Sequence, residues 1–217
     1  MTEPTYLTET RDGYNAMAAA YAEHFDGVYD TDTLGRAMLT AFAELTRDHG
    51  SVLEAGSGPG WVTWFLDSLG VKVSGIDLSS SMVKLARETY PGLRFDEGSM
   101  TALDHADDSL AGLVAWYSII HIAPEDLPAV FAEFHRVLAP GGHLLLGFQA
   151  GDDVQHYDEG FGHTLSLDFR RLRPERVAEQ LGEAGFTVKA QMVRAPADGE
   201  PTPQGYVLAS TSQAAES

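Results

Sequence analysis

Apolar residues recur at two spacings along the chain, and the spacing changes several times. Over residues 10–27, Tyr14, Met17, Tyr21 and Phe25 fall three or four positions apart, and over 33–49 Leu34, Met38, Phe42 and Leu45 do the same. Both runs predict amphipathic helices, the second stopped at Gly50. They form an N-terminal cap ahead of the first strand. From residue 51 short apolar runs alternate with helical ones. "SVLEA", "VKVSGID", "LRFDEG", the strongly apolar "LAGLVAWYSII" and "HLLLGFQ" predict strands. "WVTWFLDSLG", "SSSMVKLARETY" and "PEDLPAVFAEFHRVLAPGG" predict the helices between them. Ser79 is placed to cap the second of these and Pro91-Gly92 stops it. Pro124, followed by acids, starts the third. Strands that are apolar nearly throughout and alternate with helices predict an α/β fold, a doubly wound parallel sheet covered on both faces. Residues 151–172 read as irregular and polar, and "RPERVAEQLGEAG" as the last helix. "FTVKAQMVRA" and "GYVLASTS" read as two closing strands joined by the Pro-rich loop 196–204.

Composition narrows the partners. A chain of 217 residues that is 44% hydrophobic supplies one sizeable core. No apolar run approaches the roughly 20 residues that span a membrane, and "MTEPTYLTET" has neither the basic nor the apolar segment of a signal peptide. A cytoplasmic location is expected. The absence of cysteine excludes disulfides, thiolate chemistry and Cys-ligated metals. Lys and Arg number 14 against 32 Asp and Glu, a net charge of −18. Without a basic cluster, neither nucleic acid nor an anionic membrane is an expected partner. The acidity itself reads as solubility.

The sharpest local signal is the glycine loop after the first strand, Gly56, Gly58 and Gly60. Counted from Gly56 and Gly58, the dinucleotide fingerprint needs a third glycine at position 61, where Trp61 stands. An indole there opposes the close helix–strand packing and phosphate approach that a dinucleotide needs. The loop therefore reads as serving a nucleoside without a pyrophosphate, or as a plain tight turn. Asp77 ends the second strand 21 positions after Gly56, a spacing at which an acid accepts from both ribose hydroxyls; the other reading is a cap for the following helix. Gly98-Ser99-Met100 close the third strand, where an adenine edge would lie, or form an ordinary strand exit.

"VLEAGSGPG", "VSGIDLSSSMVKLAR", "FDEGSMTALDHADDSLAGLVAWYSIIHI" and "FHRVLAPGGHLLLGF" resemble, in order and separation, the successive motifs of class I S-adenosylmethionine-dependent methyltransferases. "YNAMAAAYAEHF" is similar to the opening of the small-molecule members, and the resemblance extends over about residues 10–210. It implies a Rossmann-like seven-stranded sheet of order 3-2-1-4-5-7-6 with strand 7 antiparallel. It also implies one methyltransferase domain over 1–217: a helical cap (1–50), a cofactor-binding half (51–150), an acceptor-side loop with the last helix and closing strands (151–211) and a tail (212–217). The cofactor implied is S-adenosyl-L-methionine, with S-adenosyl-L-homocysteine as product. By resemblance the Gly56-Ser57-Gly58 and Gly60 backbone passes beneath the methionine part and Glu54 is oriented toward its amino group. Asp77 holds the ribose, Leu78 and Met100 sandwich the adenine, and Ser99 and Met100 backbone reads its edge, with Met82, Tyr14 and Tyr21 completing the site. Two positions depart from the family pattern. Ser99 stands where Asp is frequent, and Leu110-Ala111-Gly112 lacks an acid that is usually structural.

A sulfonium methyl is already activated, so the protein must align an acceptor, exclude water and, for some acceptors, remove a proton. Trp116 and Tyr117 are expected beside the methyl group, where an aromatic face stabilises a desolvated cation by up to ~2 kcal/mol. Strand alternation lets one of the two face the cleft squarely. His121 is the candidate base, or a helix-flanking histidine bonded to backbone. Tyr21, two turns from Tyr14, is a second catalytic candidate, and both tyrosines also fit a core. His156, Tyr157, Phe161 and His163, in the segment after the fifth strand, are expected at the acceptor. Asp152-Asp153 with His156 lack the further oxygen ligands from separate loops that a divalent metal needs, so no metal is expected. The expected function is methyl transfer to an O, N or C atom of a small molecule. The alternatives are a non-catalytic S-adenosylmethionine- or S-adenosylhomocysteine-binding protein and, opposed by Trp61, a nicotinamide-dependent oxidoreductase.

Overall fold

The two N-terminal apolar runs form helices α1 (Thr5–His24) and α2 (Thr33–Thr46) in the structure, a computed structural model that describes residues 3–25, 27, 32–197 and 199–213. Helix α1 starts five residues earlier than its periodicity predicts, because contacts distant in sequence hold its first turn. Leu7 is buried, and the Tyr6 hydroxyl donates to the Asp126 carboxylate at 2.7 Å. Helix α2 is capped by Asp32, whose side chain accepts from the Gly35 backbone N–H at 3.1 Å.

The chain then alternates as expected: β1 (Val52–Ala55), α3 (Trp61–Ser68), β2 (Val73–Asp77), α4 (Ser80–Thr89), β3 (Arg94–Glu97), β4 (Leu110–Trp116), α5 (Leu127–Val137) and β5 (Leu138–Gln149). After β5 come β6 (Val154–Gly160), β7 (His163–Arg170), α6 (Pro174–Glu183), β8 (Thr187–Arg194) and β9 (Gln204–Ser210). Seven strands form one sheet in the order β3-β2-β1-β4-β5-β9-β8, and β9 runs antiparallel to both neighbours. This is the expected Rossmann-like arrangement, with β8 and β9 as the sixth and seventh strands of the sheet.

All residues of β1 and β4 are buried, which is why they read as unbroken apolar runs. Alternation divides them between the faces. Leu53, Leu113 and Ala115 pack in one cluster with Phe131 and Phe134 of α5, while Val52, Val114 and Trp116 pack in another with Phe42 of α2 and Leu66 of α3.

Three expectations are corrected. Residues 151–172 are not irregular: β6 and β7 pair as an antiparallel hairpin outside the main sheet. Its turn carries Phe161 and Gly162 at φ of 51° and 80°, the left-handed pair that suits strand twist in a tight hairpin. The run "LAGLVAWYSII" is a strand only as far as Trp116. Tyr117 has φ 53°, and a single 3₁₀ turn follows (Ile119–His121). Helix α5 begins at Leu127 rather than Pro124, with Pro128 in its first turn, and the Pro140-Gly141-Gly142 stretch enters β5. Among the described residues no helix is long and apolar enough to cross a membrane. Residues 214–217 of the expected tail lie outside the described residues.

Candidate active site at the ends of the parallel strands

Chain order reverses direction between the neighbouring strands β1 and β4, and a cleft opens beyond their C-terminal ends. Two adjoining cavities occupy it, of about 280 Å³ and about 860 Å³.

The smaller one lies over the glycine loop. Gly56 has φ 78°, and a Cβ there would stand 2.3 Å from that of Ser118. Gly58 has φ 51°, and the space a Cβ would take is open, so bare backbone faces the cavity. The Gly58 N–H donates to Asp77 Oδ2 at 2.7 Å, and the Ser79 N–H to Oδ1 at 2.8 Å. Asp77 therefore ties the loop to the end of β2, and burial raises its pKa. Each carboxylate oxygen keeps a lone pair for a further donor. Glu54, buried in β1, accepts from the Thr63 hydroxyl, and burial pushes its pKa up to about 8. Ser57 Oγ is buried without a hydrogen-bond partner among the described residues. Leu78, Met82, Ser99 and Met100 line the same cavity.

Gly60, expected beneath the cofactor, does not line either cavity. It has φ 93° at the start of α3, and a Cβ would come 2.7 Å from the Phe95 ring, so it serves packing. Trp61 stacks on Phe65 with ring centroids 5.3 Å apart and lines the smaller cavity.

Helix α1 closes over this cavity. Asn15, which the sequence reading missed, accepts from the Ser79 hydroxyl at 2.8 Å and the Ser81 N–H at 3.0 Å, pinning α1 to the start of α4. Tyr14, Tyr21, Phe25 and Tyr117 line both cavities and form the wall between them. Trp116 and Tyr117 both border the smaller cavity, Trp116 buried in the core cluster with Phe42 and Leu66 and Tyr117 half-buried. The left-handed conformation of Tyr117 ends the strand and breaks its alternation.

His121 sits buried in the 3₁₀ turn and lines the smaller cavity. Its Nδ1 lies 3.0 Å from the Asp168 carbonyl oxygen, which can only accept, so Nδ1 carries the hydrogen. Nε2 then accepts from the Tyr14 hydroxyl at 2.9 Å. Burial pushes the His121 pKa down to about 4. Arg170 of β7 donates to the His121 carbonyl at 3.1 Å and to Asp168 at 2.7 Å, fixing the hairpin against the turn.

The larger cavity lies between α1, the β6–β7 hairpin and the loop before β9. Tyr157 and Phe161 line it, whereas His156 and His163 line neither cavity. His156 is exposed on the hairpin's outer side, bonded to Asp168 at 2.7 Å and Asp158 at 3.2 Å, and His163 is exposed near the turn. Leu165, Leu167 and Phe169 line the cavity from β7, a set that was missed. Their alternation with Thr164, Ser166 and Asp168 was the available signal. At the far end Tyr117, Tyr206, Asp32 and Arg194 form a chain. Tyr117 and Tyr206 hydroxyls are 3.2 Å apart, Tyr206 donates to Asp32 at 3.1 Å, and Arg194 lies 3.5 Å from Asp32. Asp152 and Asp153 pair with Arg173 and Arg171.

A family model described as a methyltransferase domain matches residues 52–142. Demethylmenaquinone methyltransferase of Chlorobaculum parvum is 37% identical over 92 residues, which is 42% of this chain and 37% of that protein. Malonyl-[acyl-carrier protein] O-methyltransferase of Erwinia billingiae is 31% identical over 128 residues, 58% of this chain and 47% of that protein. The chain thus spans less than half the length of these curated relatives. Among solved structures, the 1,6-didemethyltoxoflavin-N1-methyltransferase of Burkholderia thailandensis, with bound 1,6-didemethyltoxoflavin and S-adenosylhomocysteine, superposes with a TM-score of 0.70. It is 20% identical and covers 98% of this chain and 92% of that one, a likeness of fold.

Proposed function

We propose that this chain is a class I S-adenosylmethionine-dependent methyltransferase that moves the methyl group of S-adenosyl-L-methionine to an oxygen, nitrogen or carbon of a small molecule. The observation that carries the proposal is the pair of adjoining cavities with one aromatic wall between them. The smaller cavity's residues fit the cofactor. Asp77 offers spare lone pairs to a ribose diol, and open backbone at Gly58 leaves room for close approach. The buried Glu54 has no cationic partner among the described residues and fits an ammonium group. Leu78 and Met100 supply apolar surface for the adenine. Trp61 stacks on Phe65 where a dinucleotide fingerprint has glycine, which disfavours a nicotinamide cofactor. When bound, S-adenosylmethionine supplies an electrophilic methyl carried on a sulfonium.

The chain's residues then have three tasks. Tyr117 supplies the aromatic surface for a cation, with Trp116 packed edge-on behind it. Tyr14, Tyr21 and Phe25 exclude water. Tyr14 and His121 handle a proton: the Tyr14 oxygen accepts it from the acceptor while the hydroxyl proton passes to Nε2. The imidazolium so formed is held by its Nδ1–H on the Asp168 carbonyl. Burial keeps His121 neutral at neutral pH, with the Nε2 lone pair open to a proton, and its low pKa makes the imidazolium a transient that must pass the proton on.

A small acceptor is supported by the demethylmenaquinone methyltransferase that resembles this chain. The test is single-turnover methyl transfer from S-adenosylmethionine radiolabelled in the methyl group to a library of hydroxyl- and amine-bearing small molecules. Labelled product supports the reading. Tight cofactor binding without transfer to any of them supports a non-catalytic binder instead.

A further inference from the structure

The larger cavity has an uneven charge balance. Arg171 donates to both carboxylate oxygens of Asp153, at 2.9 and 3.1 Å. Arg194 is held by Glu200 at 2.6 and 2.8 Å and lies close to Asp32. The Nε of each arginine makes no hydrogen bond among the described residues, but each is buried from solvent. No lysine lines the cavity among the described residues. Glu159 lines it without an ion-pair partner among the described residues. Every cation here is thus matched by a carboxylate, and one carboxylate is matched by no cation. The remaining surface is dominated by the rings of Tyr21, Phe25, Tyr157, Phe161 and Phe169.

We propose, resting on the reading of this cavity as the acceptor site, that it takes a ring-bodied acceptor free of anionic groups, either neutral or a protonated amine. An anion would surrender its hydration with no free cation to receive it. A neutral ring gains burial and edge contacts against the aromatic walls. A protonated amine gains those walls as cation–π partners, together with Glu159. The absence of a free cation among the described residues also argues against acceptors recognised through a carboxylate or phosphate. At about 860 Å³ the cavity has room for a fused-ring body.

Three probes with one ring body and different charge test this: naphthylmethanol, naphthylmethylammonium and naphthoate. Each is titrated by ligand-observed NMR into protein saturated with S-adenosylhomocysteine, and into Leu165→Trp protein, whose added indole fills part of the cavity. The alcohol and the ammonium should each bind at least roughly tenfold more tightly than naphthoate. Leu165→Trp should weaken both while leaving S-adenosylhomocysteine affinity unchanged. Naphthoate binding as tightly as the other two would overturn the inference. So would binding that Leu165→Trp does not alter, or failure of all three probes to bind. If S-adenosylhomocysteine itself fails to bind, the cofactor reading falls instead, and the same titrations on unliganded protein still decide the charge preference.

Discussion

The Tyr14 hydroxyl and His121 Nε2, 107 positions apart in sequence, lie 2.9 Å apart on the rim of the smaller cavity. One partner comes from the cap helix and the other from the turn after the fourth strand, so closing α1 over the sheet assembles the pair. The Asp168 carbonyl on the far side of the imidazole fixes its tautomer. In the proposed reaction Tyr14 contacts the acceptor and His121 takes up the proton.

His121 should leave a mark on acid stability. Its pKa is near 4 in the folded chain, below the ordinary 6.5, through burial. A histidine depressed in this way contributes stability that is fully present above its unfolded pKa. That stability is lost as pH falls through 6.5 toward 4, because the unfolded chain takes up the proton first. Urea denaturation of wild type and His121→Gln at pH values across that window should show a steeper acid loss in wild type. Equal slopes would mean that the imidazole is not held neutral by burial.

Removing the proton store should act on rate. With an acceptor in hand, Tyr14→Phe and His121→Gln should each lower kcat by about 10²–10⁴. S-adenosylhomocysteine affinity, read by calorimetry, should change little. A fall in affinity with kcat intact would make the pair a binding element.

Glu54 should behave in the opposite sense to His121. Burial raises its pKa from 4.5 to about 8, so the folded chain binds a proton that the unfolded chain releases. Stability should therefore fall as pH rises from 4.5 to 8. Glu54→Gln can still accept from the Thr63 hydroxyl and should flatten that fall, which thermal melts at pH 5 and pH 8 would register. An ammonium group arriving beside Glu54 should also expel its proton. Calorimetry in buffers of different ionisation enthalpy should detect that release at pH 7 in wild type and lose it in Glu54→Gln.

Asp77→Ala should weaken S-adenosylmethionine binding by about 1.5–3 kcal/mol, through loss of charge-assisted hydrogen bonds to the ribose. The same change frees the Gly58 and Ser79 N–H groups, so the comparison needs Asp77→Asn beside it. Unchanged affinity with an intact circular dichroism spectrum would remove Asp77 from the site.

Much of this architecture is legible in the sequence because it is local. The buried parallel strands announce themselves as short apolar runs, and the glycine loop and Asp77 lie at fixed distances along one strand–helix–strand unit. What escaped depends on tertiary context. Tyr117 turns left-handed where its neighbours read as continuous strand, and nothing in "WYSII" signals it. Asn15 acts through Ser79 and Ser81 more than sixty positions away. Gly60 resembles its neighbouring glycines in sequence but faces the Phe95 ring rather than the cavity. The β6–β7 hairpin was hidden differently: its outer strand is exposed up to Glu159 and mostly polar, so only the inner alternation of Leu165, Leu167 and Phe169 betrays it.

The most direct test of the account is an isothermal titration of the purified protein with S-adenosylhomocysteine and, separately, with NAD. The account predicts one saturable site for S-adenosylhomocysteine, lost or strongly weakened in Asp77→Ala, and no binding of NAD. Binding of NAD without binding of S-adenosylhomocysteine would contradict it.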